Sequence, residues 1–139
     1  LVVSHGFIEH FKEKKLEEAL QIHIDLLNKD GKLFLSVPNI RYLNRLFVYL
    51  FRKKLLDHHN LEIMQKSFFK DFAEKNNLKI EYLGYFGGIH PGGLKLGTKN
   101  IFKKFVTKSL IGNSERYQIF DRINSKYFSH YLGVVLVKN

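Results

Sequence analysis

The residues best suited to chemistry sit close to the start of the chain. His5, Glu9 and His10 place two imidazoles and a carboxylate within six positions. An imidazole titrates near neutral pH, so His5 and His10 are the candidate general bases. For His10 the plainer alternative is to orient the loop or cap a helix, and Glu9 suits holding that loop by hydrogen bonds. A second group, His58-His59-Asn60, lies fifty residues on. His59 and Asn60 either line a pocket or anchor the turn between two helices. No metal is expected. The run His5 to His10 meets neither the HExxH nor the HxxEH spacing, and His58 and His59, adjacent on a helix end, point apart. There is no cysteine, which excludes disulfides, thiolate metal sites and cysteine nucleophiles together.

The elements that must position these groups follow from periodicity. Leu1-Val2-Val3 reads as the end of a buried strand, with Ser4-His5-Gly6 as the loop after it. Leu16, Ala19, Leu20, Ile24 and Leu27 recur at helical spacing, so a helix is expected from about 13 to 27. Gly31 suits the left-handed conformation past its end. Residues 33–37 form a second strand, closed by Pro38-Asn39. Residues 41–55 are helical, apolar on one face and basic around it. A further helix is expected after Ser67 as N-cap, running to Asn76-Asn77, and then a strand over 78–85. The segment 86–97 holds five glycines and Pro91 and reads as a loop. Helical stretches over 99–110 and 114–128 and a last strand over 131–137 complete the order. Strands alternating with helices argue an α/β layer with a mostly parallel sheet.

A length of 139 residues suits one domain with one core, and an apolar fraction of 45% is that of a globular protein. The longest purely apolar run, Leu46 to Phe51, is far too short to cross a bilayer. Charge is uneven. Residues 1–85 carry 14 Lys/Arg against 11 Asp/Glu, and residues 86–139 carry 9 against 2. Such a basic region either attracts an anionic partner or merely solvates the surface with lysine. Arg41, Arg45, Arg52, Lys53 and Lys54 surround the apolar face of residues 41–55 with no acid among them. That stretch reads either as a lid docking on a lipid or anionic surface, or as a helix packed on its own domain. The second is the simpler expectation.

The ordered series of segments resembles class I S-adenosylmethionine-dependent methyltransferases of the type 11, ubiquinone-biosynthesis-like group. Val2–Phe11 is similar to that family's fourth strand and its apolar-Glu-His-apolar exit. Leu26–Asn39 looks like its helix end, glycine turn and fifth strand, with a Pro-Asn exit. His59-Asn60, Met64, Phe68–Asn77 and Leu78–Tyr85 resemble the helix and sixth strand that follow, and Tyr131–Lys138 the antiparallel seventh. The likeness is specific over residues 1–88 and loose from 89 to 130. It implies the C-terminal part of a Rossmann-like fold, strands four to seven, mostly parallel with an antiparallel last strand. Residues 1–139 would then be the C-terminal half of a methyltransferase domain. The family's glycine loop and its ribose-binding acid have no counterpart here. Gly84 to Gly93 follows a late strand and opens no clear helix, so it is a poor phosphate loop.

In such folds ligands sit beyond the carboxyl ends of the strands. The resemblance therefore puts Ser4, His5, Gly6 and Ile8 beside the sulfonium of S-adenosylmethionine. It puts Asn39, Arg41 and Tyr42, with His59 and Asn60, around a small-molecule or lipid-linked acceptor. Some relatives bind a metal through a second Glu three residues before the Glu-His pair; that position here is Gly6. On this reading Leu1–Val3 is an interior strand without its neighbour, open to self-association or to another chain. The implied compartment is the cytoplasm. The rival readings are a non-catalytic assembly module or remnant, and a basic nucleic-acid binder. The last is disfavoured, because few aromatics in the basic region alternate with cations as stacking platforms would need.

Overall fold

The computed structural model describes residues 1–88 and 124–139. Its centre is one four-stranded sheet made of β1 (Val2–His5), β2 (Lys32–Pro38), β3 (Leu78–Phe86) and β4 (Tyr131–Lys138). The spatial order is β1-β2-β4-β3. β1 and β2 run parallel, with Val3 opposite Phe34 and His5 opposite Ser36. β4 lies antiparallel between β2 and β3, with Tyr131 opposite both Pro38 and Phe86. Three strands therefore point one way, and the last in sequence is inserted between two of them in reverse. The expected mostly parallel sheet with an antiparallel final strand is the one observed.

Alternation decides which residues form the core. Leu33, Leu35 and Val37 of β2 and Leu132, Val134 and Leu136 of β4 are all fully enclosed on one face. Helix α1 (Glu13–Asp25) contributes Leu16, Ala19 and Leu20, and helix α4 (Lys66–Lys75) contributes Phe69, Phe72 and Ala73, to the same core. Both are amphipathic helices using the 3.6-residue repeat to meet a period-two surface. β3, at the edge of the described sheet, shifts register between Ile80 and Tyr82, and its residues 79–82 are exposed.

Several boundaries differ from expectation, each for a local reason. β1 runs on through Ser4 and His5, because both pair with β2 and the turn comes only at Gly6, φ +62°. After it, Ile8–His10 form a single 3-10 turn. Gly31 is not the left-handed residue past α1; Asp30 is, at φ +59°. Gly31 is needed for space, since a Cβ there would lie 2.7 Å from the Asn28 carbonyl oxygen. The single helix expected over 41–55 is two, α2 (Tyr42–Arg52) and α3 (Lys54–His58), meeting at Lys53. Ser67 is the second residue of α4 and caps nothing; the N-cap position is Gln65. Asn77, φ +51°, does end that helix. The helix expected over 99–110 and most of the loop over 86–97 lie outside the described residues. Of the stretch 114–128, the described end, 124–128, is a turn closed by Ser129 N–H donating to the Ser125 carbonyl.

Among the described residues β1 pairs on one side only, and its outward positions Leu1 and Val3 are 87% and 60% exposed. At the opposite end of β2, Lys32 donates to Glu81 of β3 at 2.7 Å, both half exposed. An exposed pair of this kind contributes little. Lys32→Ala is expected to change unfolding free energy by less than about 1 kcal/mol in a urea titration, and a larger loss would mean the pair also fixes strand register.

Candidate functional site at the carboxyl end of the sheet

β1, β2 and β3 all end at the same edge of the sheet, where β4 begins. The residues leaving these strands meet there. His5, the last residue of β1, has Nδ1 2.6 Å from the Ser36 hydroxyl, and its ring lies 4.7 Å from that of Tyr131. Phe86 stacks on Tyr131 from the far side at 5.4 Å. A short aromatic floor thus runs from β1 to β3, with one imidazole on it. Gly6 follows, its N–H donating to the Ser36 carbonyl at 3.0 Å. Its bare Cα leaves open room above the loop, since a Cβ there would meet only Glu9 Oε1, at 3.5 Å.

The four positions expected beside a sulfonium separate clearly. His5 and Gly6 present surface. Ser4 and Ile8, 6% and 0% exposed, face the core and have none to offer. The described residues therefore supply one wall for such a cofactor, and neither a glycine loop nor a ribose-binding acid to hold it. They do not fit S-adenosylmethionine by themselves.

At the exit of β2, Asn39 is enclosed and its nitrogens are committed, while its Oδ1 has no hydrogen-bond partner among the described residues. Nδ2–H donates to the carbonyls of Lys126 and Ser129, both at 2.9 Å, and the backbone N–H donates to His130. Asn44 repeats the pattern from α2, donating to the Asn39 and Ser129 carbonyls. Asn39 thus fixes the 124–130 turn against the exit of β2, and borders the crevice only through that turn. Arg41 donates to Gln65 at 3.0 Å, which ties the start of α2 to the start of α4. Tyr42, left-handed at φ +52°, places its ring 5.4 Å from Tyr127 and beside Tyr85. Burial, then the neighbouring Tyr42 hydroxyl, pushes the Tyr85 hydroxyl above the ordinary tyrosine value, although Arg41 and Lys126 pull the other way. Tyr85 therefore stays a neutral hydrogen-bond donor at any physiological pH. Sequence reasoning missed it, since a tyrosine in an alternating strand reads as sheet surface.

Asn60 resolves to the anchoring role. Its N–H donates to the Glu9 carbonyl at 2.7 Å and its side-chain amide donates to the Phe11 carbonyl at 3.0 Å, so it clamps the 3-10 turn that carries Glu9 and His10. That clamp brings His59 beside them. The His10 and His59 rings are 4.8 Å apart, and one donor atom from each of Glu9, His10 and His59 lies within 4.8 Å of the others. Glu9 is 1% exposed, and its Oε2 has no hydrogen-bond partner among the described residues. The Nδ1–H of His59 donates to the Leu55 carbonyl at 2.8 Å, leaving the Nε2 lone pair as its free donor. Two imidazoles and a buried carboxylate are a donor set suited to a divalent transition cation. The absence of a metal was expected from spacing within one segment; the third donor comes from another helix, and only the fold brings it in.

A groove of about 1000 Å³ is lined by residues of α1 and α4, among them Leu20, Ile24, Phe68 and Phe72 with Glu17 and Asp71. It gathers none of the candidate residues except Asn60.

No protein-family model matches the sequence, and no curated protein matches it. Among solved structures, the chain is similar to a SAM-dependent methyltransferase from Archaeoglobus fulgidus, with a TM-score of 0.58 at 16% identity. The match takes in 99% of this chain and 58% of the other. At that identity the likeness establishes the fold, a methyltransferase-like α/β arrangement, and the chain spans little more than half the length of the protein it resembles.

Proposed function

We propose that residues 1–139 form the acceptor side of an S-adenosylmethionine-dependent methyltransferase of the type 11 group, acting on a small-molecule or lipid-linked acceptor. The observation that carries this reading is the strand order β1-β2-β4-β3, with β4 reversed between two parallel strands. Its polarity agrees with the mostly parallel sheet and antiparallel last strand that the family resemblance implies. The match covering 58% of a methyltransferase chain supports the same division, with the glycine loop and ribose-binding acid on residues outside these 139. The one-sided pairing of β1 supports it as well, for a further strand can join there.

Methyl transfer to an activated sulfonium is an in-line displacement, so the protein chiefly positions the partners and, for a hydroxyl or amine, removes a proton. S-adenosylmethionine would supply the methyl group. His5, exposed at the strand end and held by Ser36, is the base best placed to take the acceptor's proton. His10 faces the Glu9 and His59 cluster instead. Gly6 leaves the approach open. The setting is cytoplasmic, and no described helix is long and apolar enough to cross a membrane.

Calorimetry tests the division. The 139 residues alone should bind S-adenosylmethionine no more tightly than about 1 mM, whereas a chain extended with the coding sequence upstream of Leu1 should bind it in the ~1–100 µM range typical of enzyme substrates. Tight binding by the 139 residues would defeat the division. No binding by the extended chain, together with no transfer of labelled methyl to a cell extract, would defeat the cofactor assignment.

A further inference from the structure

Helix α2 is amphipathic the wrong way round. The side chains it turns back toward the domain are Arg41, Asn44 and Val48, and Asn44 holds it there through its two hydrogen bonds to the Asn39 and Ser129 carbonyls. At 3.6 residues per turn the opposite side is centred on Leu46, flanked by Leu43 and Tyr49. These three are 52%, 41% and 55% exposed. A helix packed on its own domain, the simpler expectation from sequence, would enclose them; this one turns Asn44 and Val48 inward and Leu43, Leu46 and Tyr49 outward.

Two further observations say what such a face suits. The first is charge. Arg41, Arg45, Arg52, Lys53 and Lys54 fall within fourteen residues that contain no acid, and Arg45, Lys53 and Lys54 are exposed. The second is continuity with a separate segment. In the turn at 124–129, Tyr127 and Phe128 are 44% and 38% exposed, and Lys126 lies 4.9 Å from the Tyr127 ring and 5.7 Å from that of Tyr42. Tyr42 and Tyr127 touch edge to face at 5.4 Å, so the turn extends the leucine face of α2. Leucines with tyrosines and a phenylalanine, rimmed by long basic side chains on two segments (41–54 and 124–129) that contain no acid, match the boundary between anionic headgroups and acyl chains. The aromatic rings occupy the boundary while Lys and Arg reach outward to phosphate.

We infer that α2 and the 124–129 turn together dock this protein on an anionic lipid surface, with Leu46 at the centre of the buried patch. The inference does not depend on methyl transfer. It would hold for any protein presenting this face, and it adds to a methyltransferase the means to reach an acceptor embedded in lipid.

Vesicle co-sedimentation tests it. The protein should pellet with vesicles containing phosphatidylglycerol and stay in solution with pure phosphatidylcholine, and the binding should weaken steeply as salt is raised. Leu46→Asp should lower the partition coefficient at least about tenfold, as should the double charge reversal Arg45→Glu/Lys53→Glu, with the far-ultraviolet circular dichroism of each unchanged. Because these side chains point away from the core, the fold should survive all three changes. Failure of the intact protein to bind the anionic vesicles overturns the inference. So does binding that Leu46→Asp leaves intact, since charge alone would then explain it. A concentration-dependent dimer in vesicle-free solution that Leu46→Asp dissolves would also overturn it, because a second copy would then be what covers the face.

Discussion

Asn39→Ala is expected to lower the melting temperature by roughly 6–12 °C, the largest change from any single residue at the crevice. The reason is that one side chain holds two distant parts of the chain together. Its amide donates to the Lys126 and Ser129 carbonyls, some ninety residues away in sequence, at the point where β2 leaves the sheet and β4 is about to enter it. The Ser129 carbonyl keeps a second donor in Asn44, so its loss is partial. For Lys126 no other hydrogen bond to its carbonyl compensates among the described residues, and the group is left beside an alanine methyl that cannot donate. Two hydrogen bonds at about 1 kcal/mol each, plus part of the desolvation of a stranded carbonyl, come to roughly 2–3 kcal/mol. Calorimetric melting of the variant checks this. A shift below about 2 °C would mean that the backbone bond from Asn39 N–H to the His130 carbonyl, at 2.6 Å, holds the turn unaided. Asn39→Asp should be at least as damaging, since a carboxylate facing two carbonyls offers no donor at all.

The same residue shows what a sequence does and does not reveal. That Pro38-Asn39 ends a strand is visible, because proline removes a ladder donor and the apolar alternation stops there. That the asparagine then reaches to residue 129 is not, because nothing local distinguishes an amide that lines a pocket from one that ties a turn. Strand identities were readable throughout, since runs such as Leu33–Val37 and Leu132–Val137 are apolar enough to be enclosed on the core face. Their spatial order was not written in any run; the family resemblance implied only that the last strand is antiparallel, and the pairing of β4 with both β2 and β3 agrees with that. Conformations at turns were misjudged where two physical reasons for glycine compete. Gly31 serves close approach and Asp30 takes the left-handed angle, although residue type alone favours the reverse. The helical stretch over 41–55 misled more deeply. Its apolar stripe reads either as a lid for a lipid or anionic surface or, more simply, as the side packed on the domain; burial depends on which side carries the hydrogen bonds to the domain, and Asn44 decides that.

Glu9, His10 and His59 carry the second large expectation. Adding a divalent transition cation such as Zn²⁺ should raise the melting temperature, and a chelator should return it. For a site at one hundred times its dissociation constant the gain is about 2.7 kcal/mol, or roughly 5–11 °C for a chain of this size. The argument begins with an anomaly. Glu9 has been taken almost wholly out of water, yet one of its oxygens has no hydrogen-bond partner among the described residues and the nearest cationic candidate, His10 Nε2, stands 3.9 Å from the other. A buried carboxylate so weakly compensated costs stability unless something neutralises it. The Nδ1–H of His59 is spent on the Leu55 carbonyl, which leaves Nε2 as its lone-pair nitrogen, and a ligand atom of His59 lies within 4.8 Å of those of Glu9 and His10. A lone pair and an ionised carboxylate repel one another, and a positive ion between them makes both of them ligands. Glu9→Gln should therefore act in opposite directions in the two conditions. Without metal it removes the uncompensated charge and leaves stability equal or higher. With metal it abolishes the gain, and affinity measured by competition with a chelating dye should fall at least ~100-fold. His59→Ala should weaken metal binding comparably while sparing the fold, because the clamp on this turn belongs to Asn60. If the intact protein shows no cation-dependent rise, or if Glu9→Gln keeps it, the cluster is not a metal site.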